Sequence, residues 1–306
     1  MKRDYLSVDD LTTEELAGLL DLSAKVKAQP GDTAEALRGK SVAMIFEKPS
    51  TRTRVSFEIA IASTGAHAVM LSSSELQLGR GETIEDTGRV LSRYVDAIVL
   101  RTFEQERLEI LAGAATVPVV NALSDFEHPC QCLADLLTVR EVKGELAGRT
   151  ITYLGDGNNV THSLLLGGTK MGMNVRVATP PGFEPIPQIV QRASEIAGQT
   201  GGSVLMINDP RDASAGADVL YTDVWASMGQ EEEADERALV FPAFALDRSK
   251  VEVARPDVTV LHCLPAHRGQ EITDEVIDGP HSAVWDQAEN RLHTQKALLL
   301  WLLGAA

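Results

Sequence analysis

The residues best suited to chemistry cluster in a few short stretches. The densest is Phe46-Glu47-Lys48-Pro49-Ser50-Thr51-Arg52-Thr53-Arg54. An apolar run, Ser41 to Phe46, precedes it and reads as a buried strand. Val55 to Thr64 follows at helical spacing and is closed by Gly65. Ser50, Thr51, Arg52 and Thr53 therefore stand where a strand ends and a helix begins. Such a junction offers backbone N–H groups and the positive end of a helix dipole, a natural seat for a phosphate. The hydroxyls add donors, and Arg52 can grip two phosphate oxygens at once. An ordinary helix cap followed by solvated arginines is the plainer alternative.

Further candidates end other strands. Arg101 follows the strand Ala97–Leu100, and His128-Pro129-Cys130-Gln131 leads into a helix. Proline suits the first helical position, which puts His128 at the cap and Gln131 on the first turn. Gly155-Asp156-Gly157-Asn158-Asn159-Val160 begins like a dinucleotide fingerprint, but Val160 holds the place of its third glycine. The acidic residue such a fold needs after the next strand is also missing, since Ala178-Thr179-Pro180 stands there. Each asparagine amide carries both donor and acceptor, which suits an amino acid's ammonium and carboxylate instead. Asp223 ends the strand Val219–Thr222, and Ser227-Met228-Gly229 reads as a turn beyond it. His262-Cys263-Leu264-Pro265 closes one more strand. Cys263 is either a packed core cysteine or a thiol facing the ligand side, where parallel sheets bind.

The elements that position these groups alternate. A capping box, Thr12-Thr13-Glu14-Glu15, opens a helix that Pro30-Gly31 ends. Strand and helix then repeat four times, pause at Lys143-Gly144-Glu145-Leu146-Ala147-Gly148, and resume. The pattern predicts an α/β chain of two domains, each a central parallel sheet flanked by helices. The first spans 1–145 and the second 146–285. The last helix, expected to start near Glu289-Asn290-Arg291, returns over 286–306 to the first domain. Residues 72–82 read as a long polar connection, either a lid or a plain surface loop.

Composition narrows the function. Of 306 residues, 44% are apolar, ample for a real core, and only 5% are aromatic, too few for base-stacking surfaces. The formal charge of −16 and pI near 4.9 oppose binding to nucleic acid. An anion site must then be a local basic cluster, as at residues 48–54. Three cysteines, Cys130, Cys132 and Cys263, imply a reducing compartment and no disulfide framework. Cys130-x-Cys132 lacks a second ligand pair, so no metal is expected. No apolar run is long enough to span a membrane, and the charged N-terminus does not read as a targeting peptide.

Taken together, Ser50-Thr51-Arg52-Thr53-Arg54, His128-Pro129-Cys130-Gln131, Asp223 with Ser227-Met228-Gly229, and His262-Cys263-Leu264-Pro265 resemble the ornithine carbamoyltransferases. The motifs lie in that family's order over nearly the whole chain. The first two would also fit the aspartate enzymes of the same superfamily; the last two are specific to the ornithine branch.

The resemblance implies a carbamoyl-phosphate domain followed by an ornithine domain. It also implies a cytoplasmic homotrimer, or a multiple of trimers, with active sites shared between subunits, working in arginine biosynthesis. Ser50, Thr51, Arg52 and Thr53 would hold the phosphate, with Gln77 reaching in from a neighbouring subunit. Arg101, His128 and Gln131 would hold the carbamoyl group, completed by Cys263, Leu264 and Arg291. Asn159, Asp223, Ser227 and Met228 would bind ornithine. The catalytic set would be Cys263, Arg101, His128 and Asp223, with no cofactor.

The expected reaction gives citrulline and phosphate. Its nucleophile arrives protonated, because a primary alkylammonium has a pKa of about 10.4. Asp223 would fix that ammonium and Cys263 would take its proton, while Arg101, His128 and Thr53 stabilise the oxyanion. Domain closure and ordered binding, carbamoyl phosphate first, follow. Ornithine binding of equal strength with and without carbamoyl phosphate would rule the order out. A carbamoyltransferase for another amine and a catalytically silent binding paralogue are the competing readings.

Overall fold

The computed structural model describes residues 2–72, 81–226 and 234–306. Its chain forms two compact units, Met1–Ala134 with Asn290–Ala306, and Asp135–Glu289.

The first unit opens with α1 (Thr13–Ala28), whose cap is reciprocal: Thr12 Oγ1 accepts from Glu15 N, and Glu15 accepts from Thr12 N. Then come β1 (Ser41–Phe46), α2 (Thr51–Ala62), β2 (His67–Ser72), α3 (Ile84–Leu91), β3 (Ala97–Arg101), α4 (Gln105–Ala114), β4 (Val119–Leu123) and α5 (Pro129–Lys143). The sheet is parallel, in the order β2-β1-β3-β4. Every residue of β3 is buried, with no alternation, as expected for a strand covered on both faces. Ala43, Ile45, Ile98, Leu100, Leu108 and Val119 share one apolar cluster. Burying each large aliphatic side chain contributes about 1.5–3 kcal/mol. Because β1 and β3 are neighbours while their helices lead to opposite edges, their C-terminal ends form the crevice where such sheets take ligands.

The second unit contains β5 (Thr150–Leu154), α6 (Asn159–Lys170), β6 (Asn174–Ala178), α7 (Pro187–Thr200), β7 (Ser203–Ile207), α8 (Pro210–Ser214), β8 (Val219–Thr222), α9 (Ala234–Val240), α10 (Arg248–Val253), β9 (Thr259–His262), α11 (Asp274–Ile277) and the start of α12 (Val284–Leu302). Its sheet is also parallel, in the order β7-β6-β5-β8-β9. Here the crevice lies at the ends of β5 and β8.

Two helix starts differ from the sequence reading. Helix α2 begins at Thr51, because Ser50 caps it by accepting from Thr53 N at 3.2 Å. Helix α5 begins at Pro129, with His128 before it as the sequence suggests, since proline needs no N–H on the first turn. Helix α12 begins at Val284, well before Glu289. The two compact units divide inside α5 and inside α12, whereas the sequence suggests a division in the loop after α5. The C-terminal part of α12 packs on the first unit: Asn290 accepts from Lys27 Nζ at 2.8 Å, and the Arg3 guanidinium lies 4.6 Å from the Trp301 ring centre. No helix among the described residues is long and apolar enough to cross a membrane.

Candidate active site

In the first unit, the β1–α2 junction presents Ser50, Thr51 and Arg52, with Thr53 buried behind them. Replacing the Ser50 cap with alanine would cost about 1 kcal/mol. Arg291, on α12, is buried and donates from Nη2 to Thr53 Oγ1, so one guanidinium is tied to the start of α2. A cavity of about 750 Å³ opens beside it, lined by Lys48, Ser50, Thr51, Arg54 and Met70 among others. Lys48 differs from the sequence reading. Its charge is not free for an anion, because it is buried, pairs with Asp125 and lies 4.2 Å from the Phe103 ring centre.

Arg101 ends β3 and is buried, as are His128 and Gln131 at the start of α5. The His128 carbonyl accepts from Gln131 N at 3.0 Å, which seats it at the helix start. Burial, then the nearby charges of Arg291 and Arg101, holds the His128 imidazole well below its ordinary pKa. His128 is therefore a neutral ring beside two guanidinium groups. A neutral imidazole near two cations can donate to an oxygen that becomes negative without first carrying a charge of its own.

In the second unit, Asp223 follows β8 and Cys263 follows β9, and both are buried. The strands are paired, Thr222 against His262, so the two side chains emerge together. Cys263 Sγ donates to Asp223 Oδ1 at 2.8 Å. The other carboxylate oxygen, Oδ2, accepts from Asn158 Nδ2 at 3.0 Å. Asn158 has no freedom to turn over, because its Oδ1 caps α6 by accepting from Val160 N and Thr161 N. Asn159 is the first residue of α6 and is buried.

The turn that carries these asparagines is held from behind. Arg237 Nη1 donates to Asp156 Oδ2 at 2.7 Å and to the Trp225 carbonyl at 2.6 Å. Its guanidinium lies 4.9 Å from the Phe183 ring centre. Gly157 permits the turn's close approach, since a Cβ there would sit 2.2 Å from Pro185 N.

The His262 ring is held by two bonds of its own. Its Nδ1 accepts from Leu264 N at 2.8 Å, which leaves Nε2 to donate to Glu271 Oε1 at 3.1 Å. Leu264 adopts a left-handed backbone, φ 59°, that this bond helps to hold. Asp223, His262 and Cys263 offer ligand atoms within 4.8 Å of one another, but a cation there would have to displace the bonds just described. Gln77, Ser227 and Met228 lie outside the described residues.

Comparison with known proteins decides the family. Residues 3–141 match the model described as aspartate/ornithine carbamoyltransferase, carbamoyl-P binding domain. Residues 147–302 match the model of that family's Asp/Orn binding domain. The chain belongs to the aspartate/ornithine carbamoyltransferase family. An ornithine carbamoyltransferase of Parafrankia sp. (strain EAN1pec) is 62% identical over 304 residues, covering 98% of this chain and 96% of the relative. One of Pyrococcus furiosus named anabolic is 54% identical, covering 99% and 96%. The solved ornithine carbamoyltransferase from Pyrococcus furiosus superposes with a TM-score of 0.96 at 54% identity, covering 99% of this chain and 97% of that one.

Within this carbamoyltransferase frame, two contributors are not legible from the motifs. Asn158, not Asn159, bonds Asp223. In the sequence it is one of two adjacent amides suited to an amino acid's polar groups, with nothing to say which reaches Asp223. Glu271 lies outside every motif, and only the fold brings it to His262.

Proposed function

We propose that the chain transfers the carbamoyl group of carbamoyl phosphate to the δ-amine of L-ornithine, giving L-citrulline and phosphate. The observation that carries this reading is the buried Asp223 carboxylate, held by Asn158 and Cys263 at the ligand end of the second sheet, in a family whose two domain models name carbamoyl phosphate and Asp/Orn. A fixed carboxylate favours a cationic acceptor and opposes aspartate, whose own carboxylate would face it.

The anion would dock on Ser50, Thr51, Arg52 and Thr53, with Arg291 already tied to Thr53. Arg101, His128 and Gln131 would hold the carbamoyl group. The δ-nitrogen lone pair attacks the carbonyl carbon, and the C=O electron pair moves onto the carbonyl oxygen. Arg101 and neutral His128 donate to that oxygen. The oxyanion's electron pair then re-forms C=O as the C–O bond to phosphate breaks, and phosphate leaves with that bond's electrons.

Proton balance involves Cys263. In its present bond the thiol carries the proton and Asp223 accepts it. A thiolate there would face the carboxylate's like charge. An ammonium docking on Asp223 supplies the missing positive charge and lets the thiol release its proton to solvent. The resulting thiolate takes one proton from the ammonium, which frees the attacking lone pair, and the nitrogen's second proton leaves with the departing phosphate. Asn159, Ser227 and Met228 complete the amino-acid end of this reading.

The test is a citrulline assay over a panel of acceptors. Ornithine should exceed aspartate, putrescine and N-acetylornithine by at least about 10², the size of discrimination a site gains from pairing every buried polar group. Equal or greater turnover of another acceptor would replace ornithine, and no turnover of any would favour a silent paralogue. A biosynthetic direction, a cytoplasmic location and a trimer or multiple of trimers belong to the same reading. Light scattering of the purified chain tests the last of these.

A further inference from the structure

We propose that Gln287, aimed by Asp135, is a positioning residue for the Asp223–Cys263 pair. The inference rests on the reading of that pair as the amine-handling end of the reaction. Asp135, Tyr221 and Gln287 are buried, and none belongs to the motifs that mark the family in the sequence.

Their bonds form one connected chain. Asp135 Oδ1 accepts from Gln287 Nε2 at 2.7 Å, and Asp135 Oδ2 accepts from the Tyr221 hydroxyl at 3.1 Å. Gln287 Oε1 accepts from His262 N at 2.9 Å. A carboxylate can only accept, so Asp135 dictates which end of the Gln287 amide faces it. The oxygen is thereby turned to His262.

That bond matters because β9 is an edge strand. Along its outer side Val260 N donates to His281 O, and Ala283 N donates to Val260 O. His262 N has no strand beyond it, and Gln287 takes that strand's place. The next residue is Cys263. On the neighbouring strand, Tyr221 sits two residues before Asp223. The network thus fixes both strand ends immediately ahead of the two side chains that meet at 2.8 Å. Displacing reacting groups by about 1 Å can cost about 10² in rate.

The test compares Gln287→Met, Gln287→Glu and the pair Gln287→Glu with Asp135→Asn. Methionine keeps the length but leaves His262 N buried without its acceptor. Glutamate sets two carboxylates against each other. The double variant exchanges donor and acceptor. Its amide at position 135 can donate to its carboxylate at position 287, which still accepts from His262 N.

Two readouts are taken on the full chain. The first is citrulline turnover: both single variants should lose about 10–10² in kcat with little change in the carbamoyl-phosphate KM. The second does not depend on catalysis. Iodoacetamide at fixed pH reads Cys263, because Cys130 and Cys132 are 0% and 1% exposed whereas Cys263 retains 9%, and burial pushes the Cys130 thiol up to about 12. A Cys263→Ser chain supplies the blank. A sulfur released from Asp223 forms thiolate more readily, so alkylation should quicken by roughly threefold or more in the single variants. The double variant should return both readouts most of the way to wild type.

Wild-type kcat and alkylation rate in a folded Gln287→Met chain would overturn the proposal, as would a double variant no better than either single one. If Gln287→Met does not fold, Tyr221→Phe, which loses only a hydroxyl, is judged by the same two readouts. Altered alkylation with a Cys263→Ala enzyme of normal turnover would uphold the positioning and refute the catalytic reading of Cys263 instead.

Discussion

Asp223→Asn is expected to lower kcat/KM for ornithine by about 10²–10⁴, while the carbamoyl-phosphate KM stays within a few-fold. The size follows from what the carboxylate does. It is buried, it accepts from both Asn158 and Cys263, and in the proposed reaction it also faces an ammonium. Leaving a buried charge without its partner costs about 3–5 kcal/mol, which is the stated range in rate. Asparagine keeps the shape and one acceptor, so the fold should survive and thermal melting should confirm it. The β1–α2 turn, where the anion is proposed to dock, is a separate construction around Ser50 and Arg291, so carbamoyl-phosphate affinity should hardly move. Steady-state kinetics with each substrate varied in turn would decide. An ornithine kcat/KM within a few-fold of wild type would remove Asp223 from the amine site.

Arg101→Met should lower kcat by about 10²–10³, the usual loss for one oxyanion donor. It should also change how His128 titrates. Burial contributes most to holding that imidazole low, followed by the charges of Arg291 and Arg101. Removing Arg101 removes one of these causes, so the His128 pKa should rise toward its ordinary value without reaching it.

The effect on stability has a definite sign. Above about pH 6.5 the ring is neutral in the folded and unfolded chains alike. Below that pH the unfolded chain takes a proton that folded His128 refuses, so stability falls as acid is added, down to the folded pKa. Arg101→Met narrows that window from below and should lessen the acid loss. Histidine NMR across mildly acidic pH, with melting curves at the same values, would check both points. A His128 signal titrating normally in the wild-type protein would overturn the assignment of a neutral ring.

The fold is legible in the sequence because its signals are local. Runs such as Val42–Ile45 and Ile98–Leu100 are apolar without alternation, which parallel strands covered on both faces require. The capping box at Thr12 announces a helix start within a few residues, and the structure has it. The sequence places the start of the last helix near Glu289, whereas the structure begins it at Val284. The same gap leaves Gln287 outside any element and hides it.

The candidate residues are readable by type and by position at strand ends, since chain order alone says which side of a parallel sheet a strand's end faces. Their partners are not. The spacing of 40 residues between Asp223 and Cys263 becomes 2.8 Å only because β8 and β9 are neighbours in the sheet order. Nothing local distinguishes Asn158 from Asn159; the direction of the α6 cap decides which amide reaches Asp223. Sequence alone therefore determined the α/β alternation, the strand-end residues and the family they resemble. Tertiary structure alone decided which of them touch and which buried groups hold them. Hydrogen bonds form between atoms a few ångströms apart in space, and strand order, rather than spacing along the chain, sets those distances.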